Sequence, residues 1–218
     1  FSHHEKEKAN FIHNWFKQYQ IDTIIDEKNN EINNSVVDLD NHVSNILLGL
    51  VISKVSKRDL DEYIKTEIFD KAGMINSVVN YEGKTNVLER AYGHVLENHK
   101  LIVKDQYWCS ATIGDGGLYS SINDLKNWIK YLVNSKEYKS MKIPNHSGNY
   151  NEYGLGIRVI NVLGNEIIYH SGSTIGTKTL LLFSEDLKIC LIFLTNFNDF
   201  NGTTLKELLV EYLEKEIK

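Results

Sequence analysis

The stretch YHSGSTIGTKTLLLFSEDLKICLIFLTN, residues 169–196, places a histidine and a cluster of small residues before two apolar runs. The runs, 177–183 and 188–195, are rich in Leu, Ile and Phe and are bounded by polar turns, which predicts two β-strands. Because the turns are short, we expect antiparallel pairing. The segment ICLIFL, 189–194, is apolar on both faces, which is typical of a central strand covered on each side.

Two further strands are predicted just upstream. One covers 153–162, and a short one at 166–169 leads into His170. The last segment, TTLKELLVEYLEKEIK, predicts a helix that begins at Thr203 or Thr204 and lies across the sheet. Its apolar stripe consists of Leu205, Leu208, Leu209, Tyr212 and Leu213.

The chain before residue 150 is predicted to be mainly helical. Apolar spacing indicates helices at 5–20, at 43–56 and at 58–73, where Gly73 closes a predicted helical hairpin. The helix at 43–56 is apolar nearly all round and is therefore expected to be buried, whereas the Asn- and Asp-rich segment 26–42 predicts a loop. A fourth helix begins at a cap on Ser120 or Ser121, and its predicted buried stripe is Leu125, Trp128, Ile129 and Leu132.

Length and composition favour a single domain. The 218 residues are 42% hydrophobic, enough for one core, with the helical part at about 1–150 and the sheet and C-terminal helix at about 151–218. The net charge is −5 and the basic residues are interspersed with acidic ones, so a nucleic acid partner is not expected.

Metal, redox and phosphate sites are not predicted. His3, His4 and Glu5 are adjacent but lack the spacing of a metal-binding helix, so a solvated cluster is expected, with no metal and no cofactor. Cys109 and Cys190 form no C-x-x-C pair and are predicted to be unpaired core residues. The glycine-rich segment IGDGG, 113–117, predicts a turn and not a phosphate-binding loop.

Three segments together resemble a known family. They are LLGLVISKVSKRDLDEYIKTEIFDKAGM (47–74), GDGGLYSSINDLKNWIKYL (114–132) and the region from YGLGI (153–157) through the opening stretch. In this order they resemble the serine β-lactamase and penicillin-binding-protein-like hydrolases, especially the class C β-lactamase, D-aminopeptidase and esterase branch. The resemblance implies an α+β fold, in which an antiparallel sheet flanked by helices joins a helical subdomain and the active site lies in the groove between them.

The resemblance also implies roles for individual residues. The family uses a Ser-x-x-Lys nucleophile, a Tyr-x-Asn pair, and a Lys- or His-x-Gly triad at the sheet edge. His170, Ser171 and Gly172 match the triad, which implies that His170 donates a hydrogen bond to a ligand carboxylate or oxyanion. Gly172 would let a small-molecule or peptide ligand lie close, and the N–H of Ser173 would be an oxyanion donor. The alternative from the residues alone is a turn in which His170 caps a strand.

Two family motifs depart from the expected pattern. The Tyr-x-Asn position falls on Asp40, Asn41 and His42, so Asp40 and His42 are either a substitute acid and base or part of a polar loop. No serine in the sequence is followed by lysine three positions later. The chain therefore resembles the family's C-terminal portion without its first strands and nucleophile helix.

Three functions are compatible with these features. The first is a serine hydrolase acting on a peptide, ester or amide, with the nucleophile supplied from outside this chain. The second is an inactive relative that keeps the groove as a binding or regulatory module, and the third is a metal-dependent peptidase using the N-terminal histidines. The sequence itself carries no localisation signal, and family analogy implies an extracytoplasmic location.

A strand partner is also expected. In the family the first strands pair beside the strand predicted at 188–195, which carries no charge between Lys188 and Thr195. Without those first strands, the strand at 188–195 would lie at an edge of the sheet. Because an uncharged edge strand invites pairing, we expect a second copy of the chain, an N-terminal fragment supplied in trans, or the folded-back N-terminal segment to lie along it.

Overall fold

The computed structural model describes residues 41–80, 85–105, 114, 116–143 and 153–197, together with residues 207, 208, 211, 212 and 215. Its largest sheet has four antiparallel strands in the order β5-β6-β7-β8. Their bounds are Arg158–Val162 for β5, Asn165–Thr174 for β6, Thr177–Ser184 for β7 and Ile189–Thr195 for β8. The antiparallel sheet expected from the sequence, and with it the α+β class, is confirmed.

Three details of the strand prediction are wrong. β5 begins at Arg158, and β6 continues through the polar motif because those residues pair with β7. Among the described strands β8 is an edge, which agrees with the edge expected at 188–195 but not with a covered central strand, and its residues are half-buried or exposed, including Cys190, which was expected in the core. Apolar composition reports on the two faces of a strand but not on how many neighbours it has.

The sheet separates two clusters of buried side chains. Since side chains alternate along a strand, Ile168 lies in one cluster while Ile167 and Tyr169 lie in the other. The first cluster also receives residues from helix α3, Ile122–Val133, and helix α4, Tyr138–Met141, so these helices cover that face.

The predicted helical hairpin is confirmed. Helix α1 spans Asn41–Ser56, and helix α2 consists of Leu60–Ile64, a π-helical turn at Lys65–Phe69, and Asp70–Ala72. The left-handed conformation of Gly73, with φ of 71°, ends α2. The helices approach closely, because a Cβ on Gly49 would lie 2.8 Å from Leu60 Cδ2.

Two expectations about this region need correction. The loop predicted at 26–42 overlaps α1, which begins at Asn41. The predicted burial of α1 is also wrong at several positions, since Leu48, Leu50 and Val55 are exposed. Periodicity within one helix does not tell how much of its circumference neighbouring elements cover. The predicted helix at 5–20 and the rest of the loop lie outside the described residues.

Helix α3 begins where the sequence predicted. The Ser121 hydroxyl accepts a hydrogen bond from the Asp124 N–H at 3.2 Å, and of the predicted stripe Ile129 and Leu132 are buried while Leu125 and Trp128 are half-buried. The fully buried Asp124 carboxylate accepts hydrogen bonds from the Asn76 N–H and the Ser77 hydroxyl, both at 2.7 Å. This network fixes the start of α3 against the segment that follows α2.

Two small antiparallel strand pairs were not predicted. Strand β1, Val78–Val79, pairs with β4, Leu118–Tyr119, and β2, His94–Glu97, pairs with β3, Lys100–Val103. The β2–β3 hairpin docks on the large sheet where Gly93 meets Gly176, and the His94 N–H donates to the carbonyls of Gly176 and Asn196.

The C-terminal helix is described only at isolated positions. Residues 207, 208, 211, 212 and 215 are helical, as predicted, but Leu208 and Tyr212 are exposed instead of buried. The rest of the predicted stripe lies outside the described residues. None of the helices in the described part of the chain combines the length and apolar character needed to cross a membrane.

Candidate functional site

Strand β6 is divided into two halves of different character. The inner half, 165–169, contains the buried residues Ile167, Ile168 and Tyr169. The outer half, 170–174, carries the exposed residues His170, Ser171, Gly172 and Ser173 followed by Thr174. The residues that the sequence singled out for binding therefore lie together on the solvent-exposed half of one strand.

The outer half has a strand neighbour on only one side in the described structure. Strand β7 pairs with β6 from Ile168 to Thr174, whereas β5 pairs with it only from Asn165 to Tyr169. Alternate backbone N–H and C=O groups of an extended strand point to each side, so those facing away from β7 have no described strand partner. Such an edge suits an extended ligand that adds as a further strand.

Gly172 leaves the backbone of the outer half uncovered by a side chain at this position. It lies opposite Thr179 in the β6–β7 register, and a Cβ at position 172 would be 2.7 Å from Thr179 Oγ1. A side chain here would have to displace the Thr179 hydroxyl. The glycine thus leaves room both for its cross-strand neighbour and for a ligand approaching the strand.

His170 contacts Tyr153, which in turn contacts Arg158, and neither residue is among those predicted for the site. The Tyr153 hydroxyl lies 3.3 Å from His170 Nε2, and the two ring centroids are 6.4 Å apart. The Arg158 guanidinium carbon lies 4.8 Å from the centroid of the Tyr153 ring, a cation–π distance. The sequence feature that could have pointed to Tyr153 is the motif YGLG, 153–156, but the prediction places this motif in a strand.

The environment of His170 favours the neutral imidazole. Although the residue keeps solvent contact, partial burial of the ring lowers the pKa of His170, and the positive charge of Arg158 lowers this pKa further. A neutral imidazole has one nitrogen that donates and one that accepts a hydrogen bond.

A tight turn positions Tyr153. The Leu155 N–H donates to the Met141 carbonyl at 2.9 Å, and the Gly154 N–H donates to the Ile157 carbonyl at 2.7 Å. A Cβ on Gly154 would lie 1.9 Å from the Met141 carbonyl oxygen, so no other residue fits without moving the backbone. The end of α4 therefore anchors the turn that places Tyr153 beside His170.

The other predicted site residues are not brought to this edge by the described structure. His42 lies at the start of α1, and Asp40 lies outside the described residues. Within the described ranges, no hydrogen bond joins the Ser171 or Ser173 hydroxyl to a basic side chain. The same ranges contain no cluster of three or more His, Cys, Asp or Glu residues that could hold a metal ion.

Comparisons with known proteins agree on one family. A model of the beta-lactamase family matches residues 40–213. The chain is 22% identical over 158 residues to a D-aminopeptidase of Gluconobacter oxydans, and 28% identical over 171 residues to penicillin-binding protein 4* of Bacillus subtilis. These matches cover 67% and 69% of the chain but only 29% and 38% of the two relatives.

Solved structures share the fold. The octameric penicillin-binding protein homologue from Pyrococcus abyssi is 28% identical, with a TM-score of 0.62 over 77% of this chain and 42% of that one. The D-amino acid amidase from Ochrobactrum anthropi, solved in complex with D-phenylalanine, is 16% identical, with a TM-score of 0.63 over 88% of this chain and 60% of that one.

Proposed function

The chain belongs to the beta-lactamase family, and we propose that the outer half of β6 forms one wall of a serine-hydrolase groove that binds a peptide, ester or amide. The observation that carries the proposal is the outer half itself. It is exposed, polar and open on one side, although it continues a strand whose inner half is buried. An open strand edge offers main-chain hydrogen bonds to an extended ligand, while the histidine adds a directed side-chain group.

Each residue of the outer half has a proposed role. His170 donates a hydrogen bond to a carboxylate or to an oxyanion of the bound small molecule or peptide. Gly172 allows the ligand backbone to approach, and the N–H of Ser173 is a second oxyanion donor. Ser171 is also proposed to contact the ligand, although its side chain lies on the opposite face of β6 from that of His170.

The nucleophile is a separate part of the proposal. A serine needs a neighbouring base to attack at neutral pH, and no serine in these 218 residues has lysine three positions later. We therefore propose that acyl transfer requires a Ser-x-x-Lys segment from outside these residues, with Asp40 and His42 as candidate acid and base. The alternative is an inactive relative in which the groove serves as a binding or regulatory module, and the altered Tyr-x-Asn position favours it.

The domain organisation and the strand partner are also proposals. The chain forms one domain, with a helical part at about 1–150 and the sheet with the C-terminal helix at about 151–218. Strand β8 is an edge among the described strands, and no charged residue lies between Lys188 and Thr195. When no other strand is supplied, a second copy of the chain pairs along β8. The octameric state of the Pyrococcus abyssi relative supports assembly as a property within the family.

Ligand binding is tested by titrating the chain with benzylpenicillin and with D-phenylalanine, followed by amide chemical shifts. We expect shifts at the outer half of β6, and we expect His170→Ala to weaken binding about tenfold or more, as for a hydrogen bond to a charged group. His99→Ala, at the exposed tip of the β2–β3 hairpin, is the matched control and should leave affinity unchanged. Equal losses from both variants, or binding of neither ligand, would contradict the proposal.

The need for an external nucleophile is tested with a fluorophosphonate and intact-mass spectrometry. The 218-residue chain should remain unmodified. A stoichiometric adduct would contradict the proposal, and Ser171 and Ser173 are the first residues to inspect. Reading the upstream codons then separates the two functions: a Ser-x-x-Lys whose inclusion gives an adduct supports the hydrolase, and a chain without it supports the binding module.

A further inference from the structure

Three side chains beside the outer half of β6 lie in contact in a row. The Arg158 guanidinium lies over the Tyr153 ring at 4.8 Å, and the Tyr153 hydroxyl reaches His170 Nε2 at 3.3 Å. The Tyr153 and His170 rings meet edge to face, with an interplanar angle of 62°. An edge-to-face pair is one of the favoured arrangements of aromatic rings, so the hydrogen bond and the ring packing act in the same direction.

The backbone holds this row in place. Tyr153 forms an isolated bridge with Arg158, and Arg158 is the cross-strand partner of Tyr169, the residue before His170. The Gly154 turn is itself fixed by the Met141 carbonyl. The main chain therefore fixes the backbone of Tyr153 beside the strand that carries His170, and the side-chain rotamer brings the hydroxyl to Nε2.

We propose that Tyr153 is a positioning residue for His170: its hydroxyl donates to Nε2, so that Nδ1 carries the ring proton and becomes the nitrogen that donates to a ligand. The role of Nδ1 toward a ligand rests on the proposed function, whereas the Tyr153–His170 bond does not.

The direction of the hydrogen bond follows from the charges. The tautomer of a neutral histidine is set by the hydrogen bond that its other nitrogen makes. The Arg158 guanidinium lies over the Tyr153 ring, and a positive charge beside the phenol favours its hydroxyl as a donor over its hydroxyl as an acceptor. Burial of the ring and the positive charge of Arg158 both disfavour the imidazolium form of His170, which leaves one ring nitrogen free to accept. Leu181, the cross-strand partner of His170 in β7, is apolar and adds no competing group.

The tautomer is measured by nitrogen-15 NMR of the histidine rings in the labelled chain at a pH above the titration of His170. We expect wild-type His170 to be protonated at Nδ1 and unprotonated at Nε2. Tyr153→Phe keeps the ring and removes the hydroxyl, and it should shift the tautomer ratio about fivefold toward Nε2–H, as expected for loss of one hydrogen bond. Tyr131→Phe, on α3, is the control and should leave the ratio unchanged, as should the signals of His94 and His99 in both variants.

Two results would overturn the positioning role. One is wild-type His170 protonated at Nε2, which can be seen without any variant. The other is an unchanged tautomer ratio in a Tyr153→Phe chain whose amide spectrum shows that it is folded. Neither measurement uses a ligand, so a chain that binds neither benzylpenicillin nor D-phenylalanine would overturn the proposed function without affecting the test of the Tyr153–His170 bond. If the wild type binds benzylpenicillin, an unchanged affinity in Tyr153→Phe despite an altered tautomer would overturn the assignment of Nδ1 as ligand donor.

Discussion

Gly176 has no space for a side chain. Its φ is +72°, and a Cβ would lie 2.2 Å from the Lys104 carbonyl oxygen and 2.6 Å from Gly93 Cα. Both neighbours are backbone atoms, which cannot rotate away as the end of a flexible side chain would. The contact between the β2–β3 hairpin and the large sheet therefore depends on glycine at this position.

Gly176→Ala should lower the free energy of unfolding by about 3 kcal/mol or more, because it adds overpacking to the conformational cost. The control is Gly164→Ala. Gly164 has a φ of +83° but nothing within 4 Å of its ideal Cβ, so that variant should lose only about 1 kcal/mol. Urea unfolding of both variants measures the difference, and equal losses would mean that the close approach to Lys104 is unimportant for stability.

His170 gives a pH prediction whose sign is determined by its lowered pKa. Because the folded chain binds fewer protons at this site than the unfolded chain, stability falls as the pH drops below the ordinary value near 6.5 and on through the folded pKa. Arg158→Gln removes the positive charge and should raise the pKa of His170 toward its ordinary value. An NMR titration checks this, with Arg58→Gln as the control. An unchanged His170 titration in Arg158→Gln would show that Arg158 does not act on the ring.

The residues of the site were predictable to different degrees. His170, Ser171, Gly172 and Ser173 form one continuous motif and could be located from the sequence. Tyr153 could not be assigned to the site, because its contact with His170 depends on the Gly154 turn docking on Met141, a tertiary contact that no local pattern encodes.

At the scale of secondary-structure elements, local signals and strand pairing compete. The Ser121 cap was predictable because its hydroxyl acts within one turn of helix. The predicted strand ended at 169, before the cluster of serine and glycine residues, yet β6 runs to Thr174 because every residue of the outer half pairs with β7. Tertiary pairing thus overrides propensity in the element that carries the candidate site.

The Ser121 cap should contribute measurably to stability. Ser121→Ala removes the hydroxyl that accepts from the Asp124 N–H, and we expect it to lower the free energy of unfolding by about 1 kcal/mol. Ser140→Ala is the control, since that hydroxyl is exposed and donates to the carbonyl of Glu137 three residues earlier. Chemical denaturation of the two variants tests the expectation, and a loss no larger than that of the control would argue against the cap.

At the scale of the whole molecule, the sequence predicted the α+β class and the antiparallel sheet but not the β1–β4 and β2–β3 pairs. Strands of two to four residues are too short to show a periodic pattern. Val78 also pairs with Tyr119, far along the chain, and such a pairing is invisible to any local window. The two small strand pairs are thus the elements that could not be predicted from the sequence.

The proposed pairing along β8 predicts self-association. Light scattering should show a dimer that dissociates on dilution, and Leu194→Lys should favour the monomer because charge on an edge strand opposes pairing. Leu163→Lys, in the exposed turn between β5 and β6, is the matched control and should leave association unchanged. A wild-type chain that stays monomeric at all concentrations, or equal behaviour of the two variants, would contradict pairing along β8.

The division of β6 into two halves also has a consequence for how this protein could diversify. Substitutions at Ile167 or Tyr169 remove buried packing and put folding at risk, whereas Ser171 and Ser173 project from the same strand without core contacts. Variation at these two serines would sample new ligand preferences in chains that still fold. One strand thus separates the residues under selection for stability from those open to selection for new recognition, and a library for directed evolution should begin at its outer half.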